Sequence, residues 1–148
     1  MLITPRTIRK PWGSETWLGD GERTPYALKM IEFKAGTRSS LQVHEFKHET
    51  NHVLQGHGQL LIGRSRFPVD KYLAGLMEQS TLEWYLEDLN EVSINSGDTF
   101  DVQPGFIHRV VAVSDMRFME ASTPHLDDVI RLQDDSKRGH GKIDAEHS

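Results

Sequence analysis

Three residues of this chain have the types and spacing to hold one metal ion. His44 lies near the end of one apolar–polar stretch, and Glu49 follows five residues later at the start of the next. His108 comes from a separate segment, just after the turn Gln103-Pro104-Gly105. A His at the end of one strand and a carboxylate at the start of the next converge across a hairpin. A His from a distant strand then closes a facial set that leaves positions open for water or substrate. The same three side chains would serve equally as polar groups satisfied inside a metal-free barrel. The chain has no cysteine, so disulfides and thiolate sites are excluded. His, carboxylate and water suit Zn, Mn, Fe, Ni or Co.

The elements that must position these residues read as short strands. Tyr26 to Phe33 alternates imperfectly, with apolar Leu28, Met30, Ile31 and Phe33, and Lys34 to Thr37 supplies a turn. Ser40 to Phe46 reads as a second strand, with Ser40, Gln42, His44 and Phe46 on one face and Leu41 and Val43 on the other. His52 to Gln55 and Gln59 to Gly63 flank Gly56-His57-Gly58. Val92 to Ile94, Thr99 to Val102 and His108 to Ala112 follow, separated by clear turn signals. The stretch from Asp70 to Leu89 breaks the pattern: Tyr72, Leu73, Leu76 and Met77 recur at helical spacing, marking an insertion over about 64–89. Residues 126–132 read as a last strand or a helical turn, and 134–148 as a polar, flexible tail.

At 148 residues the chain suits one domain, here taken as 1–133 followed by the tail. A hydrophobic share of 36% with 26% charged residues fits a water-soluble fold. The longest apolar runs, such as Val110 to Val113, are too short to span a bilayer. The first residues lack the apolar stretch of a secretory signal, so the expected location is cytoplasmic. A formal charge of −5 argues against nucleic acid as the main partner and leaves a small molecule as the expected one.

The two polar segments resemble the signature motifs of the cupin superfamily. The first spans Gly36, His44, Glu49 and Gly56; the second spans Gly97, Gly105 and His108, with Pro104 displaced by one and Gln103 at the usual Pro position. Within the superfamily, the nearer likeness is to the mannose-6-phosphate isomerase type, found alone or as the C-terminal domain of mannose-1-phosphate guanylyltransferases. Lys10-Pro11-Trp12-Gly13, Ser40-Leu41-Gln42-Val43-His44 and Leu126 to Asp134 resemble that branch's opening, central and closing motifs, so the likeness covers roughly residues 8 to 138.

The resemblance implies an all-β fold, a cupin double-stranded β-helix or jelly-roll barrel in a single domain, and a homodimer paired through sheet edges. It implies a metal-dependent aldose–ketose isomerase acting on mannose 6-phosphate or a related sugar. Phe46 stands where the family has a second His, which reduces the metal ligands to His44, Glu49 and His108 and gives the pocket an apolar wall. Lys47 stands where the branch commonly has Arg, keeping the charge without the bidentate fork. Glu49 is the leading catalytic base and His48 the fallback. Lys47, Arg38 and Arg109 are the candidates for holding phosphate, and Gln42 for orienting a hydroxyl. A non-catalytic sugar or nucleotide-sugar binding cupin and an Fe(II)-dependent oxygenase are the alternatives, since loss of one His and one Arg fits lapsed catalysis and two His with one carboxylate fit Fe(II).

The remaining polar and aromatic residues read more simply. Alternation from Glu49 puts Asn51 and Val53 on the carboxylate's face and turns His52 away. His57 is solvated in its turn, and His140 and His147 belong to the tail. Trp12 and Trp17 read as packing residues. Arg64, Arg66 and Lys71 form a solvated basic group, and Trp84 and Tyr85 lie beside the insertion.

Overall fold

The computed structural model describes residues 1–133 and the backbone of Gly141–Ile143. Two six-stranded antiparallel sheets face each other. The first has the order β1-β2-β3-β10-β5-β8, built from Arg6–Lys10, Gly13–Asp20, Ala27–Phe33, Met116–Ser122, Glu49–Gln55 and Thr99–Val102. The second has the order β12-β11-β4-β9-β6-β7, built from Gly141–Ile143, Val129–Gln133, Leu41–Val43, His108–Ala112, His57–Gly63 and Leu89–Asn95. Two helices, α1 (Val69–Leu73) and α2 (Gln79–Glu87), join β6 to β7. No helix among the described residues is long and apolar enough to cross a membrane.

Period-two alternation decides what each sheet buries. Along β3 the inward set is Ala27, Lys29, Ile31 and Phe33, while Leu28 and Met30 face out. Of the apolar set read from the sequence, Ile31 and Phe33 are inward and Leu28 and Met30 are not, because the lysine at an inward position breaks the apolar run. On β2 the buried residues are Glu15, Trp17 and Gly19; on β10 they are Met116, Phe118, Glu120 and Ser122. Apolar members of this face join Trp12, Val53, Leu60, Ile94, Val110 and Ala112 in the main core between the sheets. Trp12 stacks on Phe33 at 4.1 Å between ring centroids, so it packs as expected. Each inward aliphatic chain removed from water contributes about 1.5–3 kcal/mol.

A second apolar cluster covers the outer face of the other sheet. Leu41 and Val43 of β4 and Ile130 and Leu132 of β11 pack with Phe67, Val69 and Ile107, and Tyr72, Met77, Leu82 and Tyr85 close over them. The insertion is therefore a helical cover for β4 and β11. Trp84 stays exposed beside Tyr85.

Three strands escaped the sequence pattern. β1, β2 and the central β10 carry charges or glycines at positions where alternation would have revealed them. Ser40 to Phe46 is shorter than expected, with β4 ending at Val43. The closing segment is a strand, and Gly141–Ile143 of the expected tail pairs with it. The rest of that tail, with His140 and His147, lies outside the described residues.

Gly56 turns β5 into β6 at φ +88°, and a Cβ there would lie 2.0 Å from the carbonyl oxygen of Asp115. Both the left-handed backbone and the close approach of β10 demand glycine. Gly56→Ala is expected to destabilise the fold by about 2 kcal/mol or more, read as a lower urea midpoint at unchanged slope.

Candidate metal centre

Each of the three candidate ligands is placed by a different element. His44 follows the end of β4, Glu49 begins β5 and His108 begins β9. All three are buried, at 1%, 4% and 4% exposure, and one donor atom from each lies within 4.8 Å of the others. His44 Nε2 is 3.5 Å and His108 Nε2 3.1 Å from Glu49 Oε1.

The two imidazoles are held in one tautomer from behind. His44 Nδ1 bonds the carbonyl oxygen of Asp128, and His108 Nδ1 bonds that of Phe106 at 3.0 Å. A carbonyl only accepts, so both Nδ1 atoms carry hydrogen, and Nε2 is the nitrogen that each ring turns to the cavity and that bears the lone pair in the neutral ring. Neither Nε2 has a hydrogen-bond partner among the described residues. Burial pushes the His44 pKa down, which keeps that ring neutral. Two buried lone pairs aimed at a carboxylate oxygen are a donor set completed by a cation, so the residues present fit a divalent metal.

The turn that delivers His44 rests on Asp128. Its carboxylate accepts the backbone N–H groups of Glu45, Phe46 and Lys47 at 3.0, 2.6 and 2.8 Å. That curl ends strand alternation after Val43 and throws Phe46 outward, where it is 60% exposed and 6.0 Å from the His125 ring. Phe46 therefore forms no part of the cavity, whose apolar wall comes instead from Ile31, Phe33, Phe100, Val110 and Phe118. The second motif closes the same corner, because Gly105 N–H donates to the His44 carbonyl oxygen at 2.8 Å.

Beside the ligands runs a buried chain of alternating charge, of which the sequence reading had named Glu49 and Lys47 and missed Glu120, Lys29 and Glu15. Lys47 Nζ lies 3.7 Å from Glu49 Oε2 and 3.3 Å from Glu120 Oε2. Lys29 Nζ lies 3.5 Å from Glu120 Oε2 and 3.8 Å from Glu15 Oε2. Lys29 also sits 4.1 Å above the Trp17 ring. Burial alone would raise the Glu49 pKa, but the Lys47 charge and a hydrogen bond from Glu120 hold it well below the carboxylate range. Glu120 goes the other way: burial and the Glu49 charge push it up to about 8, against the pull of Lys47 and Lys29. The two carboxylates are thus driven apart, Glu49 towards the ionised form and Glu120 towards the protonated one.

The other sequence candidates separate cleanly. Gln42, Lys47 and Asn51 line the cavity with the ligands, Trp12, Glu15 and Glu120. His48 is outside it, half-exposed, with Nε2 2.7 Å from Asp101 Oδ2. Arg109 follows His108 on its strand and points to the opposite face, donating from Nε to the Ser39 carbonyl at 2.7 Å. Arg38 is exposed and lines a shallow hollow elsewhere. His52 faces out as expected, against Thr99. Arg64 is exposed, 3.4 Å from Asp88. The missed residues had one usable signal: Glu15, Lys29 and Glu120 occupy inward positions of otherwise apolar strands.

Glu120 gives the stability a distinctive pH dependence. Its folded pKa lies above the ordinary 4.5, so the folded state binds the extra proton and loses stability as pH rises from about 4.5 to about 8. His44, depressed by burial, acts in the opposite sense below its ordinary value, so the comparison of two variants is the clean readout. Glu120→Gln in chelator-treated protein is expected to gain melting temperature relative to wild type on going from pH 5 to pH 8.5. Calorimetry at both pH values checks the sign.

No family profile and no curated protein sequence matches the chain. Solved structures do match its fold. The capsular polysaccharide assembling protein CapF from Staphylococcus aureus superposes with a TM-score of 0.64 at 16% identity, over 88% of this chain and 32% of CapF. KdgF from Halomonas sp. gives 0.58 at 15% identity, over 84% of this chain and 89% of that one. Bacillus subtilis oxalate decarboxylase, a protein with Mn(II) centres, gives 0.62 at 14% identity, over 86% of this chain and 30% of that one. The chain thus spans about a third of the length of CapF. With two facing antiparallel sheets and this superposition, the chain has the cupin fold.

Proposed function

We propose that this protein is a metal-dependent cupin enzyme that moves a proton on a hydroxy-carbonyl compound, in the manner of an aldose–ketose isomerase acting on a sugar. The observation that carries the reading is the buried Glu49–Lys47–Glu120 cluster beside the Nε2 atoms of His44 and His108, neither of which has a hydrogen-bond partner among the described residues. A carboxyl group with its pKa raised towards neutrality, next to a cation site, is what proton transfer at a carbon beside a carbonyl needs. The likeness to a capsular polysaccharide assembling protein supports a sugar, and the Mn(II) centres of oxalate decarboxylase support a metal.

His44, Glu49 and His108 would hold the divalent ion, which supplies Lewis-acid stabilisation of negative charge on the substrate oxygens. With Glu49 committed to that role, Glu120 replaces it as the proton carrier. Glu120, once it has given up its own proton to solvent, takes the proton from the carbon bearing the hydroxyl and returns it to the former carbonyl carbon, while the hydroxyl proton passes in the same direction, from the oxygen of the first carbon to that of the second. Lys47, between both carboxylates, limits the charge that builds during transfer. Asn51, with a buried amide oxygen that accepts nothing among the described residues, receives a substrate hydroxyl, and Gln42 orients another. Mannose 6-phosphate is the first substrate to test, and the homodimer expected from the resemblance is checked by a sedimentation mass of two chains.

A panel of aldoses and aldose phosphates, assayed with added Mn, Zn, Fe, Ni or Co, tests the activity. Turnover is expected with at least one ion, and Glu120→Gln is expected to lose at least about 100-fold in kcat while retaining metal. His44→Ala combined with His108→Ala is expected to abolish metal uptake by elemental analysis. Metal at full stoichiometry in that double variant would sink the site. Metal binding without turnover would favour a binding cupin, and dioxygen uptake with Fe(II) an oxygenase.

A further inference from the structure

A smaller hollow adjoins the cavity that the ligands line. That hollow shares Trp12, Glu15, Ser39 and Gln42 with the metal centre's cavity and adds Lys10 and Arg131. Strand register explains why the two adjoin. Arg131 of β11 pairs directly with Gln42 of β4, and Gln42 pairs directly with His108 of β9. Directly opposed residues of antiparallel strands point to the same face, so Arg131, Gln42 and His108 form one inward row. Two strand spacings set the Arg131 and His108 backbones roughly 10 Å apart. Arg131 is 9% exposed, and Val129, two residues before it on the same face, lines the hollow too. Between the two ends, Glu15 Oε2 is buried and accepts no hydrogen bond among the described residues.

We propose that this hollow is an anion subsite, in which Lys10 and Arg131 hold a terminal phosphate or carboxylate of the substrate. The inference rests on the functional reading above for the reacting end. The substrate then lies along the row, with its carbonyl end at His44, Glu49 and His108, a hydroxyl donating to Glu15, and its anion at Arg131. A five- or six-carbon polyhydroxy chain matches that separation. Guanidinium and ammonium together suit such an anion, the first as a planar fork and the second as a point charge. Arg38 and Arg109, the candidates from sequence, line neither hollow.

The test is binding, kept separate from turnover. Glycerol 3-phosphate, inorganic phosphate and glycerate are titrated calorimetrically into metal-free full-length protein. Wild type is expected to bind at least one of the three. Arg131→Gln and Lys10→Gln are each expected to weaken it tenfold or more, Arg131→Lys less, and Arg38→Gln not at all. Metal content by elemental analysis is expected to stay at the wild-type level in Arg131→Gln, which shows that the barrel is intact. Preference for the phosphates or for glycerate names the anion. Unchanged affinity in both Arg131→Gln and Arg131→Lys, or no binding of any probe to wild type, would overturn the subsite. Loss of metal in the double His variant with phosphate binding kept would leave the subsite standing, and absence of turnover in the sugar panel would bear on the reaction alone.

Discussion

Burying five ionisable side chains in one barrel is the constraint around which the site is organised. Glu49, Lys47, Glu120, Lys29 and Glu15 alternate in space, and each lysine sits between two carboxylates. An isolated buried ion is costly, so such a row persists only if its charges nearly cancel. Two lysines balance two carboxylates; the third must keep its proton or face another cation. The structure puts that surplus at Glu49 and Glu120, directly beside the two imidazole lone pairs. The candidate metal centre and the proposed proton carrier are therefore two answers to one electrostatic imbalance.

Scaffold and site meet at Asp128. Its carboxylate gathers three consecutive N–H groups of the turn after β4, and its carbonyl fixes the His44 ring. A buried turn without such an acceptor would leave donors unsatisfied at about 1–3 kcal/mol each. The same acceptor that makes the turn affordable sets the orientation of a ligand, so the local fold and the donor geometry cannot vary independently. Gly105 ties the second motif to the same His44 backbone. The helical cover seals the far side of β4 and β11, which leaves their inner face for polar work.

Much of the fold and the ligand trio was legible in the sequence, because both depend on local spacing. His44, Glu49 and His108 stand at strand ends defined by Gly36, Gly56, Gly97 and Gly105, and those turn signals survive folding. What could not be read depends on partners distant in the chain. Lys29 looks like a flaw in an apolar strand until Glu120 is placed opposite it by the β3–β10 pairing. Phe46 looked like a pocket residue because strand alternation was extended three residues beyond Val43; only Asp128, 82 residues away, ends it. Arg131 was passed over because its place beside Gln42 and His108 follows from a row across three strands. Arg38 and Arg109 drew notice through proximity in sequence to the motifs, which says nothing about the face they occupy.

The pairing of β3 with β10 also has a kinetic side. It joins residues 27–33 to 116–122, so the first sheet cannot form its centre until most of the chain has been brought together. Non-local pairing of this kind closes large loops before it yields contacts, which places such topologies among the slow folders, on the order of milliseconds to seconds. Lys29 and Glu120 meet directly across that pairing, one strand beside the other. Dehydration of the charged row is thereby tied to the late, long-range step of folding. A chain stalled before that step would hold its hairpins but keep its lysines and glutamates in water, with no dry interior to receive an ion.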